Sequence, residues 1–281
     1  MPIRSFAVAF ISSIAASSAF AQAPAPQRVP DRAIRRDIPL TNSIRRAFAA
    51  GTRDSTGRPG PKYWQLWMDY TIHARLDPST STIDGREAIR LRNDSDSSLT
   101  AIQLRLDQNI FRGDVPRGNS VPAENHEGFV ITRMSVDGNA VDLGSSTAPR
   151  SARGGTGARP PFVSGIHTTS ARLNLASPIA PHATATLEIE WHNKLAGGPG
   201  FGHRMTYRWG DTLYQVAQWY PRVAVYDDLR GWDTDPYLGP AEFYNNFGRF
   251  DVSIDVPAGW IVGATGVLRE RIGDPEPRVE L

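Results

Sequence analysis

The sequence predicts an all-β protein: a large, mainly antiparallel sandwich or saddle of about nine to twelve strands, preceded by a signal peptide and a linker. Three observations support this fold class. After residue 60, apolar and polar residues alternate in several stretches, as they do in half-buried strands. Turn-forming Gly, Pro, Asn and Asp separate these stretches. No stretch after the linker keeps a helical period of 3.6 residues.

The first 21 residues predict export. Arg4 precedes an apolar run over residues 6–20, and Ala19-Phe20-Ala21 provides a small-x-small cleavage site. The run is shorter than the roughly 20 residues that a membrane-spanning helix needs. We therefore expect a signal peptide over residues 1–21, cleavage after Ala21, and a periplasmic or extracellular protein without a membrane span. An uncleaved N-terminal anchor is the alternative.

Residues 22–60 have the composition of a flexible basic linker, with at most one short helix near residues 42–50. Much of the basic excess lies before residue 60, and the net charge of the chain is only +2. The remainder is close to neutral, so no nucleic-acid partner is expected. The chain has no cysteine, which excludes disulfides, thiolate metal sites and cysteine nucleophiles.

The β-domain is predicted to occupy residues 61–281, and its first two strands are the clearest. Arg86, Arg90 and Arg92 would share the outer face of the second strand, either as a solvated sheet face or as a site for an anionic ligand. The residues predicted to face the core are Trp64, Leu66, Met68, Tyr70, Ile72, Ala74 and Leu76 in the first strand, and Ile83, Gly85, Glu87, Ile89 and Leu91 in the second.

Further strands are predicted from the same alternation of apolar and polar residues. The third begins at Leu99 and has a slip in period at Ala101-Ile102, which suggests a bulge. A long loop over residues 111–128 precedes a hairpin that turns at Asp137-Gly138-Asn139. After a low-complexity insertion over residues 145–157, two strands are predicted at residues 171–175 and 185–191.

The segment from Leu213 to Gly266 contains the most informative residues. Its first part is rich in aromatic and acidic residues between prolines and glycines, a composition typical of an ordered loop that shapes a surface. Its second part alternates from Phe250 to Val256, which predicts a half-buried strand. A turn at Pro257-Ala258-Gly259 and another strand at Trp260-Ile261-Val262 would follow.

No metal-binding motif is found, and we expect the chain itself to bind no cofactor. His126-Glu127 begins an H-E-x-x-H motif, but Val130 occupies the place of the second histidine. The glycines at 197–202 precede no helix that would bind a phosphate. Other histidines, His182, His192 and His203, have no zinc spacing. An acidic group, Asp227, Asp228, Asp233 and Asp235, is compatible with a calcium site, with a glycosidase-type pair of carboxylates or with turn capping.

Several of these segments together resemble one known family. They are QWYP at residues 218–221, FDVSIDVPAGW at 250–260 and VGATG at 262–266, preceded by WQLWMDYTIHARL, IDGREAIRLRN, MSVDGNAV and ARLNLASPIAPHATATLEIEW. Their order is similar to that in the N-terminal β-domain of the aminopeptidase N (membrane alanyl aminopeptidase, gluzincin) family of zinc metallopeptidases. The resemblance implies a β-domain that lacks its catalytic domain and forms one wall of a peptide-binding cleft.

The resemblance also implies one site residue. In the family, a glutamine of this domain borders the pocket for the first substrate residue and its amine, and Gln218 occupies the matching place. A neutral side-chain amide suits this role, because its oxygen accepts from an ammonium group without burying a charge. The sequence departs from the family at Tyr220, where Gln or Glu is usual.

The expected partners are therefore the missing C-terminal catalytic domain, which would hold zinc, and a peptide substrate. No catalytic residue is assigned to this chain, and whether it acts as an enzyme stays open. The alternative function is a stand-alone exported β-sandwich that binds carbohydrate or protein through an aromatic loop. The residues of that loop are Trp219, Tyr220, Tyr226, Trp232 and Tyr237.

Overall fold

The computed structural model describes residues 39–118, 125–144, 160–197, 205–241 and 243–269. The predicted signal peptide, the insertion at 145–157 and His203 lie outside these residues. The described residues from Thr41 onward belong to one compact unit. Its described part contains fourteen strands, one α-helix and one short 3-10 helix. The all-β prediction is confirmed.

The described α-helix, α1, spans Asn42–Ala50. Thr41 caps its N-terminus, since its hydroxyl accepts from the amide of Ile44, and Gly51 ends it in a left-handed conformation at φ 77°. Arg53 then forms two hydrogen bonds with the carboxylate of Asp228, at 2.9 and 2.8 Å. This part-buried ion pair attaches Arg53, which lies within the range predicted as a linker, to the region of residues 226–232 of the domain.

The larger sheet has six strands in the order β14-β1-β2-β8-β4-β5. Their bounds are β1 Trp67–Asp77, β2 Thr82–Arg92, β4 Phe129–Val136, β5 Asn139–Ala140, β8 Thr184–Lys194 and β14 Gly248–Asp255. Four of the five pairings are antiparallel, and β14 pairs with β1 in parallel. The predicted hairpin joins β4 to β5, with Asp137 and Gly138 at φ 48° and 78°.

The second sheet has four strands in the order β11-β3-β7-β6. They are β3 Leu99–Arg105, β6 Phe162–Ser164, β7 Ser170–Ile179 and β11 Arg222–Val223. The predicted bulge is present, as a register shift between Leu99 and Ala101. Two small ribbons pair β9 Thr206–Trp209 with β10 Leu213–Val216, and β12 Tyr226–Asp227 with β13 Gly231–Trp232.

A contiguous apolar core forms between the two sheets. Buried residues from β1, β2, β4 and β8 pack in one cluster with buried residues from β3, β7 and β11. The alternation read from the first strand is reproduced, since Leu66, Met68, Tyr70, Ile72 and Ala74 are all buried. A smaller cluster lies beside the 3-10 helix Asp107–Phe111.

The C-terminal part differs from its prediction. β14 is a strand, as expected, but seven of its eight residues are exposed instead of half-buried. It is the edge strand of the larger sheet, and no described strand lies on its other side. The turn at Pro257 forms, with the amide of Trp260 donating to the Pro257 carbonyl, but residues 260–262 form no strand.

Candidate functional site

Gln218 lies in the short connection between β10 and β11, on the segment 217–221. Its backbone is left-handed, at φ 53°. The other non-glycine residues with positive φ in the described chain are Ser81, Asp137 and His182, and all three lie in turns between strands. Asp and His are enriched in this conformation, whereas Gln is not. Such strain persists only where the surrounding structure imposes it, and it concentrates at functional sites.

The Gln218 side chain is half-buried. Within the described part of the chain its amide group forms no hydrogen bond. A primary amide offers two donors and one acceptor oxygen. The amide of Gln218 is therefore free to bind a ligand, while its backbone is held in an energetically unfavourable left-handed conformation.

Gln108 fixes the segment from the side of the 3-10 helix. This side chain is fully buried, and its Nε2 donates to the carbonyl of Ala217 at 2.7 Å and to the hydroxyl of Thr206 at 3.0 Å. The amide of Ala217 donates in turn to the carbonyl of Met205. The residue before Gln218 is thus held through both of its backbone groups, which limits how Gln218 can relax.

Aromatic contacts fix the segment from the other side. Trp219 packs against Trp191 of β8, with ring centroids 6.0 Å apart, and against Tyr220 at 5.0 Å. Tyr220 places its ring edge-on to Tyr70 at 5.8 Å. Burial raises the pKa of Tyr220, so its hydroxyl is neutral at physiological pH. The two residues after Gln218 are therefore part of the core packing.

A buried cluster of charges anchors β11. Arg222 forms an ion pair and hydrogen bond with Asp107, and Asp107 also lies 3.2 Å from the guanidinium of Arg105. Arg222 donates to the side chain of Asn245 as well. The hydroxyl of Tyr70 accepts from the amide of Val223 at 3.1 Å. These contacts connect the segment that follows Gln218 to both sheets.

Glu87 lies beneath this region on the core face of β2. It is only 4% exposed, and neither of its carboxylate oxygens has a hydrogen-bond partner among the described residues. Burial raises the pKa of Glu87 well above its ordinary range. The group is therefore a buried acid that favours its protonated form.

The histidines and arginines singled out from the sequence do not converge. His126 stacks on Phe111 at 5.0 Å, and burial lowers its pKa to about 4. His182 and His192 lie near single carboxylates, those of Asp96 and Glu127. The three arginines of β2 point away from the core and are exposed, which favours a solvated sheet face.

The acidic group serves turns and ion pairs. Asp227 accepts from the amides of Leu229 and Arg230, which is turn capping. Asp228 pairs with Arg53, Asp233 lies 3.7 Å from Arg105, and Asp235 lies 3.8 Å from Arg230. No group of three His, Asp or Glu residues that would hold a metal ion occurs within the described ranges. The described residues thus do not fit a zinc site.

The aromatic residues of the alternative function pack inward. Tyr237 is buried, and Trp219, Tyr220, Tyr226 and Trp232 are half-buried against the core. Tyr226 stacks on Trp64 at 5.4 Å and contacts Trp232 at 5.0 Å. These ring contacts favour a packing role for the aromatic residues within the domain.

Sequence reasoning missed the residues that hold Gln218. Gln108, Asp107 and Arg222 come from segments with no pattern that links them, and only the tertiary structure brings them together. Glu87 was visible, because the period-2 pattern of β2 places it on the apolar face.

The comparisons with known proteins gave matches by structure only. No protein-family model matches the chain, and neither does any curated protein sequence. A mutant M1 zinc metallopeptidase from Deinococcus radiodurans, bound to a Tyr-Ser-Ala substrate, matches with a TM-score of 0.37 and 14% identity, covering 77% of this chain and 39% of that one. The M1 zinc metallopeptidase from the same organism matches with a TM-score of 0.37 and 15% identity, covering 74% and 37%.

A two-domain M1 zinc metallopeptidase mutant bound to L-arginine gives a TM-score of 0.39 and 13% identity, covering 77% of this chain and 39% of that one. The present chain therefore spans about two fifths of the length of these solved chains. Separately, none of the helices described here has the length and apolar character needed to cross a membrane.

Proposed function

We propose that the chain is the N-terminal β-domain of an exported, aminopeptidase N-like zinc metallopeptidase and forms one wall of its substrate cleft without catalysing the reaction itself. The family's reaction is the zinc-assisted hydrolysis of an N-terminal peptide bond. The catalytic domain and a peptide are the proposed partners. The order of the sequence segments that resemble the family supports this assignment, together with the all-β fold.

The observation that carries the proposal is the conformation of Gln218. A left-handed non-glycine residue costs about 1–2 kcal/mol relative to an ordinary conformation. Gln108 holds Ala217 on one side of Gln218, and Trp219 on the other side packs against Trp191, so the strain is built into the packing. A free amide in this position is suited to accept a hydrogen bond from a substrate ammonium group.

The neutrality of Gln218 also matters for the proposed role. A carboxylate there would bind an ammonium more strongly, but its own desolvation would offset much of the gain in a half-buried position. Moving a neutral amide oxygen out of water costs less free energy than moving a carboxylate. Gln218 would thus orient the substrate amine while leaving charge stabilisation to residues outside this chain.

The test is hydrolysis of an aminoacyl reporter by the polypeptide that the complete reading frame encodes, which we expect to continue into an H-E-x-x-H helix. Gln218→Ala should lower kcat/KM by about ten- to a hundred-fold, the value of a hydrogen bond to a charged group. Gln215→Ala on β10 is the matched control, because Gln215 is exposed and lies three residues away. A frame without zinc ligands, or equal kcat/KM for both variants, would contradict the proposal.

A further inference from the structure

The exposed edge strand β14 has two different faces. Its even-numbered residues Phe250, Val252 and Ile254 lie beside Tyr70, Ile72 and Ala74 of β1, on the face that forms the core elsewhere in the sheet. Phe250 stacks on Tyr70 with centroids 4.7 Å apart. The odd-numbered residues Arg249, Asp251, Ser253 and Asp255 occupy the opposite face.

The apolar face continues the core surface past the point where the second sheet covers it. Phe250 is 47% exposed, Val252 41% and Ile254 38%. On the polar face, neither Arg249 nor Asp255 has an ion pair with another residue that the structure describes. A long edge strand with exposed apolar residues is a template for pairing with another strand.

The sequence of β14 is complementary to itself in one antiparallel register. With Val252 opposite Val252 of a second strand, Phe250 faces Ile254 and Arg249 faces Asp255 at both ends. Asp251 then faces Ser253. Apolar residues meet apolar residues on one face, and opposite charges meet on the other, which is the pattern that stabilises cross-strand pairs.

Neighbouring registers lack this complementarity. A shift of one residue sets the apolar face of one strand beside the polar face of the other. A shift of two residues places Asp251 opposite itself in one direction and opposite Asp255 in the other. Like charges directly opposite one another are destabilising. The charges of β14 therefore favour the register with Val252 opposite Val252 and disfavour its neighbours.

We propose that β14 is a homodimer interface, in which two copies of the chain pair β14 with β14 antiparallel about a two-fold axis at Val252. The two larger sheets then join into one continuous sheet, and the exposed apolar strips lie side by side. Main-chain hydrogen bonds along the strand supply affinity, and the Arg249–Asp255 pairs supply specificity. An interface of this kind is isologous, so each contact occurs twice.

The first test is sedimentation velocity, over a range of concentrations, of the chain from residue 22 onward, which lacks the predicted signal peptide. We expect a monomer–dimer equilibrium. Arg249→Asp and Asp255→Arg, each alone, set like charges opposite one another at both ends of the pairing. Each should raise the dissociation constant by about tenfold or more. Arg46→Asp on α1 makes the same charge change at an exposed distant site and should leave the constant unchanged.

Mixing the two single variants gives the decisive result. In the mixed dimer the introduced aspartate of one chain faces the introduced arginine of the other, and at the opposite end the unchanged Asp255 faces the unchanged Arg249. Both ends then pair opposite charges, so dimerisation should return. A chain that stays monomeric at every concentration, or a mixture that does not recover, would overturn the proposal. Recovery also distinguishes the register from general aggregation, which charge reversal would not restore.

A second test uses the absence of cysteine in the chain. Val252→Cys would place two thiols directly opposite each other, with Cα atoms about 4.5–5.5 Å apart, within reach of a disulfide. Ser253→Cys would place them diagonally, at about 7–8 Å, which is too far. Crosslinking of Val252→Cys but not of Ser253→Cys supports the register, and equal crosslinking of the two refutes it.

Discussion

An alanine at position 85 would place its methyl group inside the indole ring of Trp191. Gly85 and Trp191 face each other across β2 and β8, and a Cβ on Gly85 would lie 2.2 Å from Cζ2 of the tryptophan. Ordinary contacts begin near 3.4 Å, so the ring must move by at least 3.4 − 2.2 = 1.2 Å. Trp191 is buried and packs against Phe129 and Trp219, which leaves it little room.

Overpacking of this kind costs about 1–3 kcal/mol, and the loss of glycine entropy in the unfolded chain offsets only about 0.5 kcal/mol of it. We expect Gly85→Ala to lower the free energy of unfolding by about 2 kcal/mol and Tm by about 4–8 °C. Gly263→Ala is the control, because no atom lies within 4 Å of its Cβ position and its φ is not positive.

Urea denaturation monitored by tryptophan fluorescence measures both variants. A second substitution sharpens the test, since Trp191→Phe makes room for the added methyl group. The double variant should then be more stable than the sum of the two single effects predicts, by roughly 1 kcal/mol. Equal unfolding free energies for Gly85→Ala and Gly263→Ala would refute the reasoning.

Four further predictions concern single residues. Glu87→Gln should leave the free energy of unfolding unchanged near pH 4 and raise it increasingly above the ordinary Glu pKa of about 4.3. In that range the folded wild-type chain still holds a proton on Glu87 that the unfolded chain has released, whereas the variant has no such proton to bind. A pH-independent difference in denaturation midpoints between the two chains would contradict this. The wild-type chain should lose stability as the pH falls from about 6.5 to 4, because the unfolded chain binds a proton at His126 that the buried imidazole, with a pKa of about 4, does not. His126→Gln should make this loss smaller. Identical acid unfolding curves for the two chains would count against it. Arg53→Ala should cost about 1.5–3 kcal/mol, since it leaves the carboxylate of Asp228 buried and unpaired, and thermal unfolding beside the exposed control Arg45→Ala measures the loss. Gln218→Gly should stabilise the fold by about 1 kcal/mol by relieving the left-handed strain, and a loss of stability in calorimetry would show that the conformation is not strained.

Local patterns were sufficient to predict most of the sheet. The alternation in β1 and β2, the bulge in β3 and the Asp137-Gly138 hairpin all follow from period-2 burial and from residues that tolerate positive φ. These features depend on near neighbours in the chain, so a single sequence contains the information needed.

Features that depend on distant parts of the chain were predicted less well. β14 alternates like a half-buried strand, but its exposure depends on what lies beside and above it. Residues 51–60 have the composition of a linker, yet Arg53 finds its partner 175 positions later. The position of Gln218 came from a family resemblance, and the contacts of Gln108 and Arg222 that hold the segment were not visible in any motif.

The most direct measurement of the central claim compares two substrates on the enzyme that the complete reading frame encodes. One is an aminoacyl reporter and the other is the same reporter without its α-amine. If Gln218 accepts a hydrogen bond from the substrate amine, Gln218→Ala should reduce the ratio of the two kcat/KM values by about ten- to a hundred-fold, while Gln215→Ala leaves the ratio unchanged. A ratio that Gln218→Ala does not alter would contradict the claim that Gln218 contacts the substrate amine.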